Sequence, residues 1–245
     1  MCLFGFSGAG KTTLAAEAQD EPLAQDVLVI ALEPGIRSIA DRDDVMVWPK
    51  PKEDGTIPEV TYDQVQRLSE QLKRMVRKGE SPFKTIVWDS LTAAQPIALK
   101  HVMKVSPTPE MPSQPEYGKA NALVLGWIHD WCALSRERGI NVIFITHAEE
   151  QKDEATGMTY IRMSITPGLQ KGVYQTVDSI GYLEEKTNGD RKLLLKNTSR
   201  VIAKYRQPKT GPQLPLEIIN PTMGDIIKHA KGKEVSFRTE KKGQS

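Results

Sequence analysis

Residues 5–12 read Gly5-Phe6-Ser7-Gly8-Ala9-Gly10-Lys11-Thr12, filling every fixed position of the pattern G-x-x-x-x-G-K-T. Glycines at this spacing let backbone N–H groups turn inward and approach an anion in conformations that a Cβ obstructs. A loop of this kind joins a buried strand to a helix, and the helix aims its first unsatisfied N–H groups and positive dipole end at the same anion. Apolar Cys2-Leu3-Phe4 before the loop and helix-prone Leu14-Ala15-Ala16-Glu17-Ala18 after it supply that context. The expected ligand is a nucleoside triphosphate, cradled by Gly5, Ser7, Gly8, Ala9, Gly10, Lys11, Thr12 and Thr13. Lys11 is expected to reach its β- and γ-phosphates and Thr12 to place a hydroxyl on Mg²⁺. Only four residues precede Gly5, fewer than a central strand usually has, so the start of the chain reads as clipped or misassigned.

Further along, residues 26–32 form a near-continuous apolar run, as in a strand buried on both faces, and it ends at Glu33-Pro34-Gly35. Sites of open α/β sheets lie outside the carboxyl ends of their strands, so Glu33 is either a phosphate-facing carboxylate or a loop-surface one. Thr61 and Gln64 make a capping-box pattern, and Val65, Leu68, Leu72 and Met75 recur at helical spacing up to Gly79. The strand over residues 83–88, apolar apart from Lys84 and Thr85, then delivers Asp89, which either caps the next helix or holds Mg²⁺ beside Thr12. Four prolines between residues 105 and 116 read as an exposed loop without helix, followed by a helix over 117–138 that Gly139 stops. Residues 141–147 are a further buried strand carrying His147 to the same sheet edge as Glu33 and Asp89.

Beyond Glu149, residues 158–163, 179–184 and 192–196 read as strands without helices between them, and Asn188-Gly189 marks a hairpin. A last segment, Lys204-Tyr205-Arg206, precedes a Pro/Gly-rich stretch and a short helix over 223–230. The fold class expected is therefore α/β: a P-loop NTPase with a central, mostly parallel sheet flanked by helices and antiparallel strands toward the C-terminal end.

At 245 residues the chain suits one domain, expected over 1–230, with 231–245 read as a basic, disordered tail carrying Lys231, Lys233, Arg238, Lys241 and Lys242. The net charge of +2 does not by itself imply a polyanionic partner. Cys2 and Cys132 form no metal-ligand spacing, and His129 with Cys132 reads as helix packing. No apolar run reaches membrane-spanning length, so the expectation is a cytoplasmic protein without membrane contact, in the host cytoplasm if phage-encoded.

Asp89 is followed by Ser90-Leu91-Thr92 with no guanine-reading Asn-Lys-x-Asp, unlike a regulatory GTPase, and Phe6 stands where a partition-type ATPase carries a second lysine. The chain resembles the RecA-like ATPases, most closely short phage-encoded members similar to single-strand annealing or recombination proteins. The resemblance spans roughly residues 2–230 and rests on residues 5–12, Leu32-Glu33-Pro34-Gly35, Ile86-Val87-Trp88-Asp89-Ser90, Phe144-Ile145-Thr146-His147 and Lys204-Tyr205-Arg206. It implies ATP and Mg²⁺ as cofactors, Glu33 polarising the attacking water, and His147 sensing the γ-phosphate. It also implies that Lys204 and Arg206 act as cationic fingers across a subunit boundary in a ring or filament; as a bare strand end they read as solvated. Single-stranded DNA is the implied partner, met by residues 104–119 and 149–166, although the acidic residues of the second stretch give no basic stripe. Two other readings stand beside DNA-stimulated hydrolysis: an ATP-gated assembly or adaptor protein, and a small P-loop kinase.

Overall fold

The computed structural model describes residues 1–104, 111–154, 157–206 and 213–239. Half of the proline-rich stretch (105–110), part of the Pro/Gly-rich stretch (207–212) and the tail's Lys241 and Lys242 lie outside the described residues.

In chain order the elements are β1 (Cys2–Gly5), α1 (Lys11–Ala16), β2 (Val27–Ala31), β3 (Met46–Trp48), α2 (Tyr62–Lys78), β4 (Thr85–Asp89), α3 (Leu91–Met103) and α4 (Gln114–Arg138). They continue with β5 (Asn141–Lys152), β6 (Thr159–Met163), α5 (Pro167–Thr176), β7 (Ser179–Glu185), β8 (Arg191–Leu194), β9 (Lys204–Tyr205), β10 (Glu217–Ile219) and α6 (Met223–Ala230). The sheet order is β10-β8-β7-β1-β5-β4-β2-β3. From β7 to β3 every neighbouring pair is parallel. β8, β9 and β10 join antiparallel beyond or beside β7, and β6 pairs antiparallel with the outer half of β5. The α/β class, the mostly parallel centre and the antiparallel C-terminal end are those expected.

Every residue of β1, β2 and β4 is buried, because helices cover both faces. One face packs against α2 to α5 around Phe4, Ile86, Trp88, Trp127 and Trp131, the other against α1 and α6 around Leu3, Leu14, Val29, Ile143 and Ile226. On the first face Trp88 lies between Trp127, stacked at 5.3 Å, and Trp131, edge-on at 6.4 Å. α2 brings the indole partner, with Ser69 Oγ accepting from Trp131 Nε1 at 3.0 Å. The capping box at Thr61 and Gln64 and the left-handed Gly79 bound α2 as its sequence dictates.

Three expectations need correction. α4 begins at Gln114, so Pro115 lies inside it: at the first helical turn a proline removes an N–H that has no partner anyway. A helix, α5, does stand between β6 and β7; it starts at Pro167 and buries Leu169 and Val173 one turn apart. His129 is exposed while Cys132 is buried, so the two do not share one packed face.

Part of the segment expected as a tail lies against the core. The Phe237 ring packs edge-on to His229 at 5.7 Å, and Ile219 N donates to Arg238 O at 2.7 Å. Phe237 packs against the core from within a run that carries Lys231, Lys233 and Arg238. Among the described residues no helix is long and apolar enough to cross a membrane.

Candidate functional site

β1 ends at Gly5 with β5 on one side and β7 on the other. A Cβ built on Gly5 would stand 2.2 Å from Leu183 O of β7, so the strand can end this close to its neighbour only on glycine. Gly8 and Gly10 then turn the loop at φ +84° and +81°, the left-handed region that other residues avoid. α1 follows directly, and no side chain caps its N-terminus. An uncapped helix start after two left-handed glycines is a concave set of donors that suits phosphate.

Lys11 is buried and folds back over the loop, its Nζ donating to Gly5 O at 2.9 Å and Phe6 O at 2.8 Å. Burial lowers its ammonium pKa, against the opposing pull of Asp89 and Glu33. Thr12 Oγ1 donates to Asp89 Oδ2 at 2.6 Å, so the two residues expected to share Mg²⁺ are in direct contact. Asp89 is 2% exposed, and burial pushes its carboxyl up to about 6, against the Thr12 hydrogen bond and the Lys11 and His147 charges. A carboxylate so poorly compensated fits a divalent cation, which would restore the charge balance that burial removes. Among the described residues no group of three or more His, Cys, Asp or Glu side chains is arranged to hold a metal ion by itself.

Glu33, at the tip beyond β2, meets His147, at the level of Gly5 on β5: Nε2 lies 2.9 Å from Oε1 and 3.1 Å from Oε2. Burial raises the Glu33 pKa, but hydrogen bonds from His147 and Ser90 and the His147 and Lys11 charges outweigh it, and the net shift is downward. Glu33 is thus an ionised carboxylate with its orientation fixed. β4 and α3 brace the pair, one through its backbone and the other through a side chain: Leu32 N donates to Asp89 O at 2.6 Å, and His147 N to the Thr92 hydroxyl Oγ1 at 3.0 Å. One cavity of about 210 Å³ is lined by Ser7, Lys11, Thr12, Glu33, Asp89 and His147 together.

The structure thus gathers the loop residues, Asp89, Glu33 and His147. It does not bring Lys204 and Arg206 to them. β9 pairs with the start of β7, with Lys204 beside Ile180 and Ile180 beside Cys2, at the opposite end of β1 from Gly5. Lys204 Nζ donates to Tyr174 O, and Arg206 Nη1 to Asp178 Oδ1 at 3.0 Å. Sequence reasoning also missed Ser38 in the cavity wall and Arg191, which lies against Gly10 from 181 positions away. The Asn188-Gly189 hairpin announced the strand that carries Arg191 but not the side of the sheet it would join.

A family model described as an AAA domain matches residues 1–207. No curated protein matches the chain. The matched span holds the phosphate loop, the Thr12–Asp89 contact and the Glu33–His147 pair, and the chain belongs to this AAA domain family of P-loop ATPases.

Proposed function

We propose that the protein is a Mg²⁺-dependent ATPase of the RecA-like kind that acts on single-stranded DNA in phage recombination, by annealing or strand exchange. The observation that carries the catalytic part is the insertion of β5 between the phosphate-loop strand and the Asp89 strand. That order supports a sensor role for His147, since the strand that carries it lies between the loop strand and the Asp89 strand while its imidazole grips Glu33 at the cavity wall.

In this reading the loop amides and Lys11 bind the triphosphate, and Lys11 exchanges its two carbonyl contacts for phosphate oxygens. Thr12 and Asp89 are the residues that would hold Mg²⁺, which would supply neutralisation of charge on the β- and γ-phosphates. Glu33 accepts a hydrogen bond from the attacking water and aligns it with the γ-phosphorus. A carboxylate held below its usual range is a weak base, so its contribution is orientation more than proton removal. His147 links that carboxylate to the state of the γ-phosphate. Lys204 and Arg206 serve the site of an adjoining subunit in a ring or filament.

The DNA part rests on the family resemblance and on the way β5 runs past His147 into the hairpin with β6, so that nucleotide and hairpin share one strand. One observation favours the second reading, an ATP-gated assembly or adaptor protein: in that hairpin the Arg162 guanidinium is held by Glu149 at 2.7 Å, while Glu150 is exposed. Hydrolysis by the purified chain, with and without single-stranded DNA and at low and moderate salt, separates the two. Stimulation by single strands that Lys11→Ala abolishes is the expected result. Hydrolysis indifferent to DNA, with no salt-dependent DNA binding, would leave the adaptor reading.

A further inference from the structure

Glu33, Asp89 and His147 all stand on one flank of β1, toward β5, β4 and β2. The other flank, toward β7 and β8, carries one basic side chain directly against the phosphate loop. Arg191 opens β8, opposite Glu185 at the end of β7. A Cβ built on Gly10 would lie 3.2 Å from Arg191 Cδ and 3.4 Å from Nη1, so the side chain rests across the last glycine of the loop. Its Nη2 donates to Glu17 Oε1 at 2.9 Å, with the two side chains only 27% and 21% exposed.

Gly10, Thr13 and Glu17 are spaced three and four residues apart where the chain enters and follows α1, so they share a face. Arg191 bridges the two ends of that stripe, and Thr13, between them, lines the phosphate cavity. The Arg191–Glu17 pair also lines a separate groove of about 470 Å³, whose wall includes Asn220, Thr222 and Lys228 with the acids Asp20, Glu21 and Asp225. The main chain of Arg191 is pinned: its N donates to Asn220 Oδ1 at 2.8 Å and its O accepts from Asn220 N at 2.7 Å. Any rearrangement there belongs to the side chain.

We propose that Arg191 is a nucleotide-binding residue: in the free protein its guanidinium is parked on Glu17, and it transfers to the α-phosphate of a bound nucleoside di- or triphosphate, whose nucleoside half occupies the groove. The inference rests on the nucleotide reading of the loop and extends it. Since the acids that face a γ-phosphate lie on the β5 and β4 flank, the nucleoside end of the ligand leaves by the β8 flank, past Thr13 and Arg191. A guanidinium fits a phosphate with two parallel N–H donors, whereas it meets Glu17 through one contact of 2.9 Å. A contact to the α-phosphate is the same in ground and transition states, so it contributes to affinity and not to the chemical step.

The test is titration of the full chain with a fluorescent ADP in Mg²⁺, alongside steady-state hydrolysis. Arg191→Ala is expected to weaken ADP binding by about ten- to a hundredfold and to raise KM for ATP by a similar factor, with kcat within about threefold. Competition by pyrophosphate, which has no α-phosphate, should not change. Glu17→Gln removes the competing carboxylate and should tighten ADP by severalfold. Arg191→Lys should fall between wild type and Arg191→Ala, and with Glu17→Gln it carries the test if Arg191→Ala does not fold. Unchanged ADP affinity in Arg191→Ala, or weakening by Glu17→Gln in parallel with it, would overturn the proposal by reducing the pair to a structural salt bridge. Failure of the wild-type chain itself to bind ADP would overturn the nucleotide reading first, and this inference with it.

Discussion

Asp89 has to be buried to sit between β2 and β5, and it has to be charged to hold a cation. Those requirements conflict. An aspartate carboxyl with a pKa near 3.8 in the unfolded chain and about 6 in the folded one binds its proton more tightly when folded. The linked stability is therefore fully present below the unfolded value, falls as pH rises from about 4 to 6, and is gone above 6. At pH 7.5 the free protein carries a penalty of about 2 kcal/mol, allowing for water that reaches the site through the open cavity. Asp89→Asn keeps the shape and an acceptor for Thr12 while removing the charge. It should raise the thermal midpoint of the nucleotide-free protein by roughly 4–8 °C at pH 7.5, with no gain near pH 4. The stabilisation that Mg²⁺-nucleotide confers on wild type should disappear. Scanning calorimetry of both proteins, at the two pH values and with and without ligand, checks the pair of effects; a lowered midpoint in the variant at pH 7.5 would mean that burial does not strain this carboxylate.

At the scale of elements, the face behind Asp89 is held by aromatic packing between β4, α2 and α4. Trp131 is fully buried, edge-on to Trp88 and hydrogen-bonded to Ser69. Trp131→Ala leaves a cavity that the sheet cannot collapse into and orphans the serine hydroxyl, at a cost of about 3–5 kcal/mol. The loop lies on the far side of β4 from this cavity, so nucleotide affinity measured well below the midpoint should hold within a few-fold. Urea unfolding with ligand titration reads both. The elements of this face were legible because local chemistry marks them: the Thr61–Gln64 capping box, the stop at Gly79, and the apolar run ending at Asp89. α5 was not, since Pro167-Gly168 reads as a turn and its helical face shows only in Leu169 and Val173, which meet the core through α4. In the candidate site, what the motif and strand tips encode locally was legible, namely the loop, Asp89, Glu33 and His147. The Thr12–Asp89 contact and the His147 grip on Glu33 join residues 77 and 114 positions apart, and Arg191 reaches the loop from the other end of the chain. Such contacts depend on strand order, which periodicity alone does not carry.

For the whole molecule, the decisive geometry is the separation of Lys204 and Arg206 from the phosphate loop. On β7, Ile180 is level with Lys204 and Leu183 packs against Gly5, so three residues of strand, roughly 10 Å at the usual rise, divide the two ends of the sheet. Arg206 lies further out still and is held by Asp178. No side-chain rotation carries it around the sheet to its own nucleotide. In the proposed head-to-tail assembly, with the amino edge of one sheet stacked on the carboxyl edge of the next, it would meet a neighbour's nucleotide, and an interface of that kind generates rings or filaments. The consequence is quantitative. Lys11→Ala subunits lack a working loop but keep the finger, and Arg206→Ala subunits keep the loop but lack the finger. Each alone should be inactive. In an equimolar mixture with random assembly, a productive site needs an Arg206→Ala loop facing a Lys11→Ala finger, so hydrolysis should recover to about a quarter of the wild-type rate per subunit. Phosphate release measured across mixing ratios should follow the product of the two fractions and peak at equal amounts. A flat line at background would confine every catalytic group to one chain and leave the Arg206–Asp178 pair as a surface ion pair.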